Sequence, residues 1–370
     1  MRKKKVKIPY VDLGKQHAPY LENFQKNLKK FLNSGQFILG SYVKKFEIKF
    51  AKYIGTKYAI GVGNGTDALY LSLKYLNLDK NDEVITVANS YLSTVSVINL
   101  VGAKPVLVDV DYDDYNIDVS KIERKITNKT KVILPVHLCG NPANMKPIIK
   151  IAKKYNLKII EDCAQAVGAT IRKKKVGSFG FAGCFSFHPL KNLNAIGDGG
   201  MIVTKDKKFY SWLLKARNNG HPDRDHCDFW SHNMRLDALQ AMFLEIKLKN
   251  YEKIIKLRNK NVNIYKKNLK GKLSIPKISK DCKSVYHTFI VKTKRREQLI
   301  SYLKKNKIET KIHYPIPIHK LESFKKTNKK INLPVTEKLS KEIITLPVAE
   351  YLSCKDILYV VDNINKFFEK

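Results

Sequence analysis

A chain of 370 residues is too long for one ordinary hydrophobic core and suits two domains, one large and one small. With 44% hydrophobic and 28% charged residues the balance is globular, there is no low-complexity tract, and no apolar run approaches the length of a membrane span. The net charge of +37 admits an anionic partner, but the lysines are spread along the whole chain, often at helix-surface spacing as in Lys146, Lys150, Lys153 and Lys154, so most of the charge reads as solvated surface and nucleic acid is not an expected partner.

The N-terminus, Met1-Arg2-Lys3-Lys4-Lys5, is basic like the start of a signal peptide, yet residues 6–12 lead into polar sequence instead of an apolar segment, which makes a cytoplasmic protein the expectation. Residues 1–35 read as a helical segment that packs on the smaller domain. From 57 to 204, β-rich runs at 58–62, 83–87, 105–110, 131–136, 157–160, 183–187 and 200–203 alternate with helical stretches such as 66–76 and 144–155. Most of the runs are continuously apolar, as strands covered on both faces must be. The predicted class is therefore α/β: a large domain at 36–240 with a seven-stranded, mostly parallel sheet flanked by helices. Past Arg235 the pattern changes. Residues 236–269 predict one long bridging helix into a smaller C-terminal α/β domain, 241–370, with a strand at 285–291 and a helix at 297–305.

Six cysteines (139, 163, 184, 227, 282 and 354) lie far apart, without a C-x-x-C pair or a Cys/His ladder. A disulfide framework and a structural zinc site are both excluded as readings, and no metal is expected.

Three segments carry chemistry. Gly61-Val62-Gly63-Asn64-Gly65-Thr66 turns a strand through glycines into a helix, exposing backbone N–H groups and a helix N-terminus that suit a phosphate; the spacing is not the full dinucleotide fingerprint. Glu161-Asp162-Cys163-Ala164-Gln165 puts a carboxylate at the carboxyl end of a parallel strand, where open α/β sheets bind ligands, although a helix N-cap would also explain Asp162. Ser186-Phe187-His188-Pro189-Leu190-Lys191-Asn192 leaves a strand and enters a loop closed by Gly197-Asp198-Gly199-Gly200. A lysine that must form a covalent bond to a carbonyl has to be held at a fixed point, and a strand terminus does that better than a helix surface.

In order and content these segments resemble the DegT/StrS-type nucleotide-sugar aminotransferases, which belong to the fold-type I pyridoxal-phosphate enzymes. The resemblance runs from Ile8-Pro9-Tyr10-Val11-Asp12-Leu13 through Asn64-Gly65-Thr66-Asp67-Ala68-Leu69, Glu161-Asp162-Cys163-Ala164-Gln165-Ala166 and the lysine loop to Asn233-Met234-Arg235-Leu236-Asp237 and His313-Tyr314-Pro315-Ile316-Pro317-Ile318-His319. It implies that Lys191 carries pyridoxal 5′-phosphate and moves the proton during amino transfer, and that Asp162 pairs with the pyridine nitrogen. It further implies that Gln165 lies beside the phenolic oxygen, that Gly65, Thr66 and Ser186 hold the phosphate, and that Tyr91 stacks on the ring. Asn233 matches a residue that reaches the phosphate from a neighbouring subunit, so a homodimer with shared sites is expected. His188, three residues before the lysine, either contacts substrate or packs. His313 and His319 lie in a segment that resembles the family's substrate entrance, with a structural role the commoner use of such histidines. His137 reads as a fixed hydrogen-bonding residue. Arg217 would touch a substrate phosphate or, more commonly, serve as a cation at a helix C-terminus.

Ala88, Cys139 and Cys163 depart from the Pro, Tyr and Ala of many relatives, and none removes a catalytic group. Relatives that exchange the lysine for histidine are dehydratases; Lys191 favours transamination. The expected reaction moves an amino group, with glutamate as the usual donor, to a nucleoside-diphosphate keto-6-deoxy sugar, a 3-keto sugar slightly preferred over a 4-keto one. Alternatives are another keto substrate such as a cyclitol, or a non-catalytic regulatory or nucleic-acid-binding relative.

Overall fold

The computed structural model describes residues 7–271, 273–328 and 330–369. Its centre is a seven-stranded sheet in the order Tyr58–Val62, Gly200–Thr204, Ala182–Ser186, Lys158–Asp162, Thr130–Ile133, Glu83–Val87, Lys104–Val108. Only Gly200–Thr204 runs against the rest, pairing antiparallel with both of its neighbours. The strands are buried along almost their whole length, which is why the runs read as continuously apolar.

Helices cover both faces. On one side the helices Gly65–Lys74 and Met145–Lys154 pack with Ile60, Val84, Ile133 and Ile160; on the other, Gly40–Ile54 and Ala238–Leu248 pack with Phe185, Phe187 and Val203. The helix Met145–Lys154 buries Met145, Ile148, Ile151 and Ala152 on one stripe and leaves Lys146, Lys150, Lys153 and Lys154 outside it, so its basic charge is solvated surface. A second core joins Val262, Phe289, Val291, Ile344 and Val360 around the antiparallel pair Phe289–Lys292 and Ile343–Leu346. Among the described residues no helix is long and apolar enough to cross a membrane. All six cysteines are free.

The structure corrects three expectations. The stretch 236–269 is two helices, Ala238–Leu248 and Tyr251–Asn268. The break falls where Asn250 leaves helical geometry and Tyr251 is buried, its hydroxyl donating to the Val167 carbonyl at 2.9 Å. The strand expected at 285–291 is confined to Phe289–Lys292, because the carbonyls of Val285, Tyr286 and His287 accept side-chain donors from Asn192 and Arg258 instead of ladder partners. The third concerns the first 35 residues, of which 1–6 lie outside the described residues. Ile8 bridges Ile308, and Tyr10 and Asp12 bond to Glu309 and Tyr351 on the small-domain side. The helix Leu21–Ser34, however, packs on Ala238–Leu248, with Phe31 in the cluster of Phe46 and Phe50. Its apolar side matches the large-domain core, and Gly35 (φ 64°) stops it.

Candidate active site

The carboxyl ends of the parallel strands open into a cleft of about 670 Å³ at the junction of the two cores. Asp162 ends the strand Lys158–Asp162 at its floor. Thr94 donates its hydroxyl to one carboxylate oxygen at 2.8 Å, and the Ala164 N–H donates to the other at 3.1 Å. Burial raises the Asp162 carboxyl above its ordinary range, opposed by those two hydrogen bonds and by the charge of Lys191. A carboxylate so placed gains most from a cationic N–H.

Lys191 lines the same cleft. It follows the strand Ala182–Ser186, whose exit is fixed by Phe187, fully buried against Phe46 and Phe50. The loop folds back on itself: the Lys191 N–H donates to the His188 carbonyl and the Ala195 N–H to the Phe187 carbonyl, both at 2.8 Å. Burial pulls the amine from 10.5 down to about 8, against the opposing influence of Asp162 and Cys139. A sizeable neutral fraction at neutral pH is what a nucleophilic or proton-shuttling amine requires.

At the other end of the cleft the helix Gly65–Lys74 begins, with Asn64 as its cap, accepting from the Asp67 N–H at 2.9 Å. A Cβ on Gly65 would lie 2.8 Å from the Ser186 Cβ, so glycine is required for the helix start to approach the strand end this closely. Thr66 and Ser93 share a hydroxyl hydrogen bond of 2.7 Å. The first turn therefore presents backbone N–H groups beside the hydroxyls of Thr66, Ser93 and Ser186, a cradle for a phosphate.

Gln165 is held between the halves of the molecule. Its Oε1 accepts from the Cys139 N–H at 2.7 Å and its Nε2 donates to the Tyr314 hydroxyl at 2.9 Å. Since the backbone of Cys139 makes that bond, the exchange at this position leaves it intact. Tyr91 is exposed to the cleft, its ring 6.2 Å from that of Tyr314. His188 and His313 also line the cleft. Burial lowers both, His313 to about 4.

Three residues considered for the site are not brought to this chain's cleft. His319 lies outside it, buried beside Ile318 with its Nε2 3.1 Å from Glu337, which gives it the structural role and sets aside its reading as a substrate contact. Asn233 is exposed, in a bridge with Asn218, and does not line the cleft of its own chain. Arg217 ends the helix Lys207–Ala216, but its side chain turns inward to Glu47 and donates to the Gly61 carbonyl at 3.0 Å, so it is neither a phosphate contact in this cleft nor a solvated helix cation. Sequence reasoning missed Thr94, Tyr314, Arg258 and His287. Thr94 and Tyr314 carried a trace, one beside Tyr91 and the other inside the quoted His-Tyr-Pro segment; Arg258 and His287 carried none.

His137, Glu161 and Cys163 form a buried cluster with metal-like spacing. The ligand atoms of two of its three members, Glu161 and His137, are already engaged. Glu161 accepts from the N–H groups of Gly177, Phe179 and Gly180 and from His137 Nε2, while His137 Nδ1 accepts from the Ala143 N–H. The cluster ties the strand Lys158–Asp162 to the turn at 177–180, and His137 is the hydrogen-bonding post expected of it.

A lysine with a lowered pKa, a buried carboxylate lacking a cationic partner among the described residues, an anion cradle and a tyrosine facing the cleft fit pyridoxal phosphate. Fold and site together define a fold-type I pyridoxal-phosphate enzyme. The profile of the DegT/DnrJ/EryC1/StrS aminotransferase family matches residues 20–365, and the chain belongs to that family. It is 42% identical over 361 residues to the dTDP-3-amino-3,6-dideoxy-α-D-galactopyranose transaminase of Aneurinibacillus thermoaerophilus, covering 97% of this chain and 99% of that one. Among solved structures, Streptomyces venezuelae DesV in complex with a ketimine intermediate superposes with a TM-score of 0.96 at 33% identity over 100% of both chains. NtdA from Bacillus subtilis with bound PMP gives a TM-score of 0.93 at 28% identity, covering 100% of this chain and 87% of that one. The chain is a pyridoxal-phosphate-dependent sugar aminotransferase.

Proposed function

We propose that the enzyme moves an amino group from glutamate to a keto-6-deoxy sugar carried on a nucleoside diphosphate, with a 3-keto sugar slightly preferred over a 4-keto one, and that it works as a homodimer with shared sites. The observation that carries the reading is the Lys191 amine, lowered to about 8, in one cleft with the buried carboxylate of Asp162. When bound, pyridoxal phosphate supplies the electron sink that makes a proton on the amino-bearing carbon labile.

The chain's own residues then have distinct tasks. Asp162, oriented by Thr94 and Ala164, keeps the ring nitrogen protonated. Gln165, clamped by Cys139 and Tyr314, would lie beside the phenolic oxygen. Gly65, Thr66 and Ser186 would hold the phosphate, and Tyr91 would cover the ring. Lys191 would carry the cofactor and, as a free amine, would hold and return the proton moved in each half of the reaction. Glutamate leaves as 2-oxoglutarate in the first half, and the keto sugar leaves as an amino sugar in the second. His188 and His313 stand on the substrate side. Asn233, exposed and outside its own cleft, is suited to reach the phosphate of the partner subunit.

Support for a 3-keto acceptor comes from the 3-amino product in the name of the A. thermoaerophilus relative. The surplus of basic residues favours a diphosphate-bearing ligand. The test supplies glutamate with 3-keto and 4-keto nucleotide sugars and with a free keto sugar, and measures 2-oxoglutarate. Equal rates with the free sugar refute the nucleotide-sugar reading; faster turnover of the 4-keto compounds overturns the position alone.

A further inference from the structure

The helix Ala238–Leu248 carries a lysine where an apolar residue would pack. Lys247 is fully buried, with its ammonium 5.4 Å from the ring centroid of Tyr20 and 5.8 Å from that of Phe243. No carboxylate lies within ion-pair distance of it among the described residues. Glu350 acts from farther off and is engaged by Arg258 at 2.7 Å and Gln16 at 3.0 Å, while His17, on the other side, is held neutral by burial and by Lys247 itself. Burying an ammonium in this way is costly unless it makes a bond nothing apolar can make. That bond goes to the Oδ1 of Asn194.

Asn194 is fully buried, three residues past Lys191. Its Nδ2 donates to the Pro189 carbonyl and, at 3.3 Å, to Gln16 Oε1. Pro189 and Asn194 bracket Lys191, so one carboxamide spans the base of the loop that bears it. A lysine ammonium only donates, and this fixes which way the carboxamide points: Oδ1 to Lys247, Nδ2 to the two acceptors. From Gln16 the chain of bonds continues through Glu350 and Arg258 to the carbonyls of Tyr286 and His287, and Asn192 closes the circuit by donating to the Val285 carbonyl at 2.9 Å. The loop is thus held by the N-terminal segment, by the helix Ala238–Leu248 and by the 285–287 segment together.

We infer that Lys247 is a positioning residue for amino transfer, acting through Asn194 to hold the Lys191 loop in register with the cleft. It rests on Lys191 being the cofactor lysine, which borohydride reduction and peptide mapping of the wild-type protein test separately. Lys247→Met keeps the length of the stem and removes the donor. Two readouts distinguish positioning from general support. In cofactor-free protein, hydrogen exchange of a peptide covering 187–196 should speed up by about tenfold, with the helix Lys207–Ala216 unchanged. In the loaded enzyme kcat should fall roughly ten- to hundredfold with KM for the nucleotide sugar little altered, as misplacement of a reacting group predicts.

The double variant Lys247→Met/Asn194→Leu decides the matter even if the single variant folds poorly, because it leaves no buried ammonium and no stranded Asn194 amide, and only the Pro189 carbonyl and Gln16 Oε1 lose a donor. Fast exchange in 187–196 and low kcat in the double variant support the assignment. Recovery of wild-type kcat there, exchange raised equally throughout the chain, or a single variant with unchanged exchange and turnover overturns it.

Discussion

Arg217→Met removes the guanidinium from a buried pair and keeps most of the stem's volume. Glu47 is left with 8% side-chain exposure and the Gly61 N–H, at 2.7 Å, as its remaining hydrogen-bond donor. Stripping one partner from such a pair costs about 3–5 kcal/mol, since the other charge stays behind uncompensated. At about 2.1 cal/mol/K of unfolding entropy per residue, that lowers the melting temperature of this chain by about 4–6 °C. The loss should depend on pH. Burial already holds the Glu47 carboxyl above its usual range, while Arg217 and the Gly61 N–H pull the other way, so losing Arg217 raises it further. A raised folded-state pKa contributes stability that is full below the unfolded value and disappears as pH rises through the folded one. The deficit against wild type is therefore smaller at a mildly acidic pH than at a mildly alkaline one. Thermal unfolding of cofactor-free protein at both pH values, followed by circular dichroism, measures it, and KM for the nucleotide sugar should stay within about twofold. An equal deficit at both pH values would refute the electrostatic account. A large rise in KM without loss of stability would make Arg217 a substrate contact instead.

Other consequences are as direct. In cofactor-free protein the Lys191 amine should react with an acylating reagent at half its maximal rate near a pH of about 8, and Asp162→Asn should move that midpoint lower, because the carboxylate now favours the charged amine; an upward shift would contradict the electrostatics. Lys191→Ala should bind pyridoxal phosphate but lose turnover and borohydride fixation, and a reduced adduct on any other lysine in the wild type would displace the assignment. His319→Gln should leave KM and kcat within about twofold while costing stability, because its partner is Glu337 and it lies outside the cleft; a kcat loss like that of Lys191→Ala would return it to the site. Mixing Lys191→Ala with Asn233→Ala subunits should restore part of the activity, since each mixed dimer holds one site with both residues native. No rescue despite verified subunit exchange would count against sharing.

The architecture was legible in local patterns. Burial on both faces forces a strand to be apolar throughout, so the seven runs announced the sheet before any pairing was known. The close approach of Gly65 to Ser186 demands glycine, and a carboxylate at a strand end together with a lysine in a loop five residues past another strand end are features of single segments. Those residues, with their order, were enough to suggest the cofactor and the family.

What the sequence could not supply depends on which segments meet. Thr94 orients Asp162 across 68 residues and Tyr314 fixes Gln165 across 149 residues, and neither contact leaves a periodicity to read. His313 and His319 look equivalent in one short segment, yet one faces the cleft and the other faces Glu337, because a loop residue's direction is set by what it packs against and not by spacing. Leu-, Ile- and Lys-rich sequence cannot show the break at Asn250, which exists because Tyr251 finds its partner in the Val167 carbonyl. Lys247 was one lysine among many until tertiary packing buried it against Asn194. Local composition determines which elements form and which groups can do chemistry; long-range packing decides which of those groups face one another, because hydrogen bonds and desolvation depend on neighbours brought from elsewhere in the chain.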